Sequence, residues 1–153
     1  MSIPSYRLRR ARIEDLEALV RLEALFPTDR LSRTSVGHLL RRANADMYVI
    51  ETAGAPVADV VVLYRAGGRG ARIYSLVVEP AHRGRGLAGL LLGAAELAAL
   101  TRGCRRLSLE VRPDNRGRWR CTSGTATSTP ARSKRSTKTA ASAAAMQTSV
   151  CAA

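Results

Sequence analysis

The sequence predicts an α/β (α+β) domain whose sheet is mixed and mostly antiparallel, with one central pair of parallel strands joined by a long helix. Three observations carry this reading. Runs rich in β-branched residues alternate with glycine- and proline-containing turns between residues 47 and 78, the pattern of consecutive hairpins. A long apolar stretch then separates the last of these runs from one more alternating segment, the connection that parallel neighbours need. Finally, 153 residues of which 46% are hydrophobic make about one domain with a real core, and too little chain for two.

The elements follow in order. Tyr6 to Ala11 alternate as a strand, and Ile13 to Glu23 carry apolar residues at helical spacing with acids in the first turn. A second helix is expected from Thr34 or Ser35, either of which can cap it, to about Arg42. Met47 to Thr52 and Val57 to Tyr64 flank the turn Ala53-Gly54-Ala55-Pro56, and Gly67-Gly68-Arg69-Gly70 turns the chain into a strand from Ala71 to Val78. Pro80, Gly84 and Gly86 open the long helix, which runs to about Thr101 and stops at Gly103. Arg105 to Val111 is the closing strand of the pattern.

From Gly117 the texture changes. Of the last 37 residues, 22 are Ala, Ser or Thr, none is acidic, and no apolar periodicity of either kind is present, so residues 117–153 are expected to form a disordered or aberrant basic tail behind a domain of residues 1–116. The formal charge of +13 divides accordingly: +7 in residues 1–116, where all 12 acids lie, and +6 in the tail. A nucleic-acid partner has charge alone in its favour, because aromatics are 4% and no recognition motif is present, and it ranks last among the readings. Cys104, Cys121 and Cys151 are an odd number without paired spacing, which argues against a disulfide framework and against a zinc site. The N-terminus lacks an apolar run after its first charges, and the run Leu87–Leu100 is too short and too polar for a bilayer, so a cytoplasmic protein without a membrane partner is expected. Oligomeric state has no sequence signal.

The segment that carries chemistry is Tyr74 to Leu92. An apolar strand, a glycine-rich turn and a long helix follow without a gap, so backbone N–H groups converge on whatever occupies the helix N-terminus, and that is an anion site. Gly84 and Gly86 admit close approach of a phosphate, and Arg83 and Arg85 add positive charge. Gly84, Gly86 and Gly89 also match Gly-x-Gly-x-x-Gly locally, but the two helices before the strand and Pro80 at its end suit a dinucleotide fold less well, and no Gly-Lys-Ser/Thr follows that would make a Walker loop.

Arg83-Gly84-Arg85-Gly86-Leu87-Ala88, after Val78-Glu79-Pro80, resembles the acetyl-CoA signature Arg/Gln-x-x-Gly-x-Gly/Ala of the GNAT superfamily of N-acetyltransferases. Leu109-Glu110-Val111-Arg112-Pro113-Asp114-Asn115 is similar to the corresponding strand of its ribosomal-protein alanine N-acetyltransferase branch. The resemblance implies the GNAT fold and transfer of acetyl from acetyl-CoA, as cosubstrate and without a metal, to a primary amine, in particular a protein or peptide N-terminal α-amine. It further implies that the backbone around Val77, at Leu76 and Val78, pairs with the pantetheine arm, and that the Val78 N–H polarises the thioester carbonyl. Amides at Arg83, Gly84, Gly86 and Ala88 hold the pyrophosphate within a cofactor-binding segment that also includes Arg85 and Leu87, Asn115 contacts pantetheine, and Glu110 is the general base, acting directly or through water. An α-amine, with a pKa of about 7.7–8, is within reach of a carboxylate base.

After Asn115 the family continues into a helix bearing a tyrosine that protonates the leaving thiolate. Here Arg118-Trp119-Arg120-Cys121-Thr122 stand instead. With GC-rich codons the overlapping frame from Arg118 to Thr127 can read AVALYERDGY, the missing family helix, with its tyrosine over Thr122. The chain from about Gly117 or Arg118 is therefore expected to be translated out of frame and the domain to be C-terminally incomplete. The alternative function is a catalytically inactive acyl-CoA-binding remnant.

Overall fold

The structure, a computed structural model, describes residues 4–25, 31–111 and 144–149. Strand β1 (Arg7–Arg10) leads through a 3-10 turn at Ile13–Asp15 into helix α1 (Leu16–Glu23), and α2 (Arg33–Arg41) precedes three strands, β2 (Ala45–Thr52), β3 (Ala55–Tyr64) and β4 (Gly70–Val78). Helix α3 (Leu87–Thr101) returns the chain to β5 (Arg106–Val111), and a sixth strand, β6, is formed by Ala144–Ser149. The six strands lie in one sheet in sequence order. Every neighbouring pair is antiparallel except β4 and β5, which run parallel as the crossover helix requires.

Two departures from expectation have local causes. The cap of α2 is Ser32, whose hydroxyl accepts from the Ser35 amide at 3.1 Å, so the helix starts at Arg33, ahead of the Thr34 and Ser35 positions read as caps. And the tail was expected to hold no strand, yet Ala144–Ser149 pair with β5 from Arg106 to Val111. A six-residue segment of small and weakly apolar side chains takes up a ladder when the partner edge supplies the register, which periodicity within the segment does not reveal. Residues 117–143 and 150–153 lie outside the described residues.

The core has two halves, one on each face of the sheet. Val61, Met47 and Val49 meet Leu19 of α1 and Val36 and Leu39 of α2, whereas Ile50, Val60, Val62, Ile73 and Leu76 meet Leu87, Leu91, Ala95 and Ala99 of α3. Consecutive valines of β3 thus serve opposite layers, the strand period of two made visible. At the end of α3, Gly103 takes φ +75° while the Cys104 amide donates to the Ala99 carbonyl at 2.9 Å, closing the helix as its glycine predicted. Beside it, Arg102 donates to both oxygens of Asp46, at 3.0 and 3.3 Å, and stacks 4.1 Å over the Tyr64 ring, fastening α3 to β2 and β3. Burial and the hydrogen bond it gives Asp46 push the Tyr64 phenol well above its ordinary range.

The start of the chain is fixed by a second ion cluster. Arg9 donates two parallel bonds to Asp15, at 2.7 and 2.8 Å, and a third to Glu51, while the Arg12 amide donates to Asp15 at 2.8 Å. The Arg9 hydrogen bonds hold the Asp15 carboxyl below the usual carboxylate range against the opposing effect of burial. Because the folded-state value is the lower one, this contribution is complete above the unfolded value of about 4 and is lost as pH falls through the folded value. Asp15→Asn is expected to cost about 2 kcal/mol in urea denaturation at pH 7 and to flatten the acid limb of the stability profile; an unchanged acid limb would show that the cluster does not contribute.

Candidate active site

The site begins with an irregularity in β4. Val61 of β3 faces Ser75, but the next residue, Val62, faces Ile73, so Tyr74 is an extra residue that bulges out of the ladder. The apolar positions shift with it: Ala71 and Ile73 before the bulge, Leu76 and Val78 after it, lie on or against the α3 layer. On the other side, β4 pairs with β5 only from Gly70 to Ile73. Beyond Ile73 the two parallel strands part, and the gap opens toward their C-terminal ends, where ligands enter open α/β sheets.

What the gap presents follows from the hydrogen bonding. The Glu79 amide donates to Val57 of β3 at 2.9 Å. Backbone groups alternate along a strand, so Val77 also faces β3, while the N–H and C=O groups of Leu76 and Val78 face the opening. The Val78 carbonyl there accepts from Nε of Arg83 at 3.1 Å.

The loop beyond the strand is a cradle of amides. Pro80–His82 form a 3-10 turn that uses the Arg83 amide, which donates to Pro80 at 3.3 Å. Gly84 and Gly86 then both adopt left-handed φ values, +73° and +76°, which turn successive amides toward one side. Gly86 caps α3 with no side chain to satisfy the first turn of that helix. Among the described residues none of the amides from Gly84 to Gly89 meets an acceptor, and a Cβ at Gly84, Gly86 or Gly89 would meet nothing within 4 Å. Hence the glycines at 84 and 86 are required by their backbone angles, and the space before the amides is open.

Tyr6 steadies this loop. Its hydroxyl shares a 3.0 Å hydrogen bond with Nδ1 of His82, the two rings meet edge to face at 5.8 Å, and the Arg85 guanidinium lies 6.0 Å from the Tyr6 ring centre. His82 also lies 3.7 Å from Glu79. Sequence reading missed Tyr6 because it stands 76 residues from His82 and only the pairing of β1 with β2 brings the chain start to this edge. Behind the bulge, Ser75 donates at 2.7 Å to Glu23, a carboxylate 1% exposed near the end of α1. That contact, too, has no local signal.

The model of the acetyltransferase (GNAT) family matches residues 12–122. The chain belongs to the GNAT acetyltransferase family. Over 78 residues it is 41% identical to an acetyltransferase of Sodalis glossinidius, covering 49% of this chain and 54% of that one, and 41% identical over the same span to an acetyltransferase of Yersinia enterocolitica. The chain thus spans about half the length of the curated relatives it matches. Its fold is similar to that of PaiA N-acetyltransferase from Thermoplasma acidophilum in complex with coenzyme A (TM-score 0.79, 14% identity, 95% of this chain and 99% of that one). It is also similar to the ribosomal-protein-S18-alanine N-acetyltransferase from Escherichia coli (TM-score 0.72, 17% identity, 94% of this chain and 90% of that one). The GNAT fold expected from the motif is the fold observed.

On this GNAT frame the expected site residues separate into four placements. Leu76, Val78, Gly84, Arg85, Gly86, Leu87 and Ala88 share one continuous edge, from the open strand to the first turn of α3. Arg83 stands on that edge with its guanidinium, its amide being engaged by Pro80, and Val77 is 4% exposed with its backbone toward β3, a wall residue behind the edge. Glu110 follows Leu109, the last β5 residue paired with β4, so the backbone sets it where the gap begins. Asn115 lies outside the described residues. No helix among the described residues is long and apolar enough to cross a membrane.

Proposed function

We propose that this chain is an acetyl-CoA-dependent N-acetyltransferase acting on the α-amine of a protein or peptide N-terminus. The observation that carries the reading is the pair of strand residues, Leu76 and Val78, that turn their backbone groups away from β3 beyond the last β4–β5 pair, together with the amides from Gly84 to Gly89 at the uncapped N-terminus of α3, which meet no acceptor among the described residues. A pantetheine arm has amides that pair with a strand edge, and a diphosphate matches amides fixed by two left-handed glycines with two arginines beside them. The residues therefore fit the group, which supplies an acetyl thioester. Leu76 and Val78 bind the arm as an added strand would. The Val78 N–H, rigid in the sheet, is aimed at the carbonyl oxygen that gains negative charge, and such a preoriented donor lowers the barrier without reorganising. Glu110 takes the proton of the acceptor ammonium, so that the free amine attacks directly and the enzyme forms no covalent intermediate. A cytoplasmic setting belongs to the same proposal, supported by the free, buried Cys104.

The acceptor assignment is supported by the Leu-Glu-Val-Arg sequence from Leu109 to Arg112. The inactive acyl-CoA-binding remnant stands beside it because the family pattern breaks after Asn115, and resequencing across codons 117–127 tests the out-of-frame origin of that break. Titration calorimetry with coenzyme A is expected to give a dissociation constant near micromolar, about −8 kcal/mol. Thiol release from acetyl-CoA should then follow addition of peptides with free N-termini, and N-terminally blocked peptides carrying lysine should be much poorer. Absence of coenzyme A binding sinks the proposal; binding without thiol release leaves the inactive remnant.

A further inference from the structure

We propose that the far end of the sheet from the amide cradle is a docking surface for the phosphodiester backbone of a nucleic-acid strand. The proposal is independent of the acyl-transfer reading. At this end an open groove of about 940 Å³ runs between the β3–β4 hairpin and the start of β5, lined by Arg65, Arg69, Arg72, Arg105 and Arg106. Backbone hydrogen bonds draw these arginines together. The Arg65 amide donates to Gly70 at 3.2 Å across the hairpin, and the Arg69 carbonyl accepts from the amides of Arg105, at 2.8 Å, and Arg106, at 3.3 Å. The arginines are exposed, and for Arg65, Arg69, Arg105 and Arg106 the described residues offer no carboxylate partner, in contrast to Arg9, Arg10 and Arg102 elsewhere.

The sequence around them is free of acids. None of the 12 lies in residues 60–78 or 97–109, the two stretches that meet in the groove. A net charge spread over a surface is ordinary solvation, but Arg65, Arg69, Arg105 and Arg106 crowd one channel, and a multiply charged anion lying among them relieves their mutual repulsion. An open channel suits an extended chain, and a nucleic acid carries a charge at every repeat, which an acidic peptide does only in unbroken acidic runs. Among the described residues the one aromatic in the lining, Tyr64, is buried under Arg102, so these residues offer no base-stacking platform and contact is with the backbone. Composition alone could not make this distinction, because it gives the charge without its position. The groove and the cradle lie at opposite ends of β4, a strand about 26 Å long at about 3.3 Å per residue.

Fluorescence anisotropy of a fluorescein-labelled 20-nucleotide oligo-U RNA with the full chain, between 50 and 200 mM salt, tests this. Affinity should fall with salt by about 0.7 in the log–log slope for each phosphate engaged. Joint substitution of Arg65, Arg69, Arg105 and Arg106 by Ser should weaken binding at least tenfold and flatten that slope, with circular dichroism and the melting temperature as the check on folding; should the fourfold variant unfold, R69S and R105S singly are expected to weaken RNA binding severalfold. Replacing Arg118, Arg120, Arg132, Lys134, Arg135 and Lys138 by Gln should retain most of the affinity, and saturating coenzyme A should not compete. Three results overturn the proposal: no binding at 50 mM salt, loss of binding through the tail substitutions with the groove variant unaffected, or an oligo-glutamate 20-mer that binds as tightly as the RNA.

Discussion

Replacement of Gly86 by glutamate is expected to weaken coenzyme A binding at least about 100-fold, roughly 2.7 kcal/mol, while leaving the protein folded. Two effects combine. The position holds φ +76°, so any L side chain is strained there by about 1–2 kcal/mol, and the surrounding amides respond by shifting. The larger effect is electrostatic, since the new carboxylate sits beside the first turn of α3, where the unpartnered amides and the helix dipole favour an anion and the side chain competes with the diphosphate for them. A Cβ at Gly86 has open space before it, so core packing is untouched and the loss is one of recognition. Gly93→Ala is the companion variant: it lies on the exposed side of the same helix with nothing within 4 Å, and should raise stability by about 0.5–1 kcal/mol without altering coenzyme affinity. Calorimetry on the three proteins decides the matter; unchanged affinity in the glutamate variant would remove the cradle from the site.

Glu110→Gln should lower turnover by about 100- to 10,000-fold, the usual range for a general base, with coenzyme A affinity within about twofold of the parent. The backbone sets Glu110 one residue past the last β4–β5 pair, at the start of the gap and away from the amides of the cradle, so binding and proton transfer should separate cleanly. The sign of the pH dependence is a further check. An acceptor α-amine titrates near 7.7–8, and in the variant the rate should follow the fraction of free amine, rising with pH through that range, because no group remains to take the proton. A glutamine variant as fast as the parent at pH 7 would assign the base elsewhere.

The order of elements was legible because each carries its own period: β-branched alternation in β2, β3 and β4, an apolar stretch of helical length in α3, and glycines at the places where φ turns positive. The cradle was legible for the same reason, since Gly84 and Gly86 announce a conformation that other residues avoid. What escaped depends on contact between distant segments. Tyr6 against His82 and Ser75 against Glu23 join residues 76 and 52 positions apart, and no local pattern encodes either. The bulge had a signal that went unused: apolar inward positions step from Ile73 to Leu76, three residues instead of two, which a strand accommodates only with an extra residue. β6 escaped because its pairing is specified by the vacant edge of β5 more than by its own side chains.

The parting of β4 and β5 also bears on how the protein keeps in solution. Most sheets confine bare edges to their margins, where twist, charge or a covering loop discourages other chains, but here an apolar strand leaves the backbone groups of Leu76 and the Val78 N–H without a β5 partner in the middle of the sheet, and an extended polypeptide can compete for them. Under the proposed function the coenzyme is thus also a plug. Preparations freed of it should self-associate on concentration and warming, and stoichiometric coenzyme A should keep them monodisperse and raise their melting point.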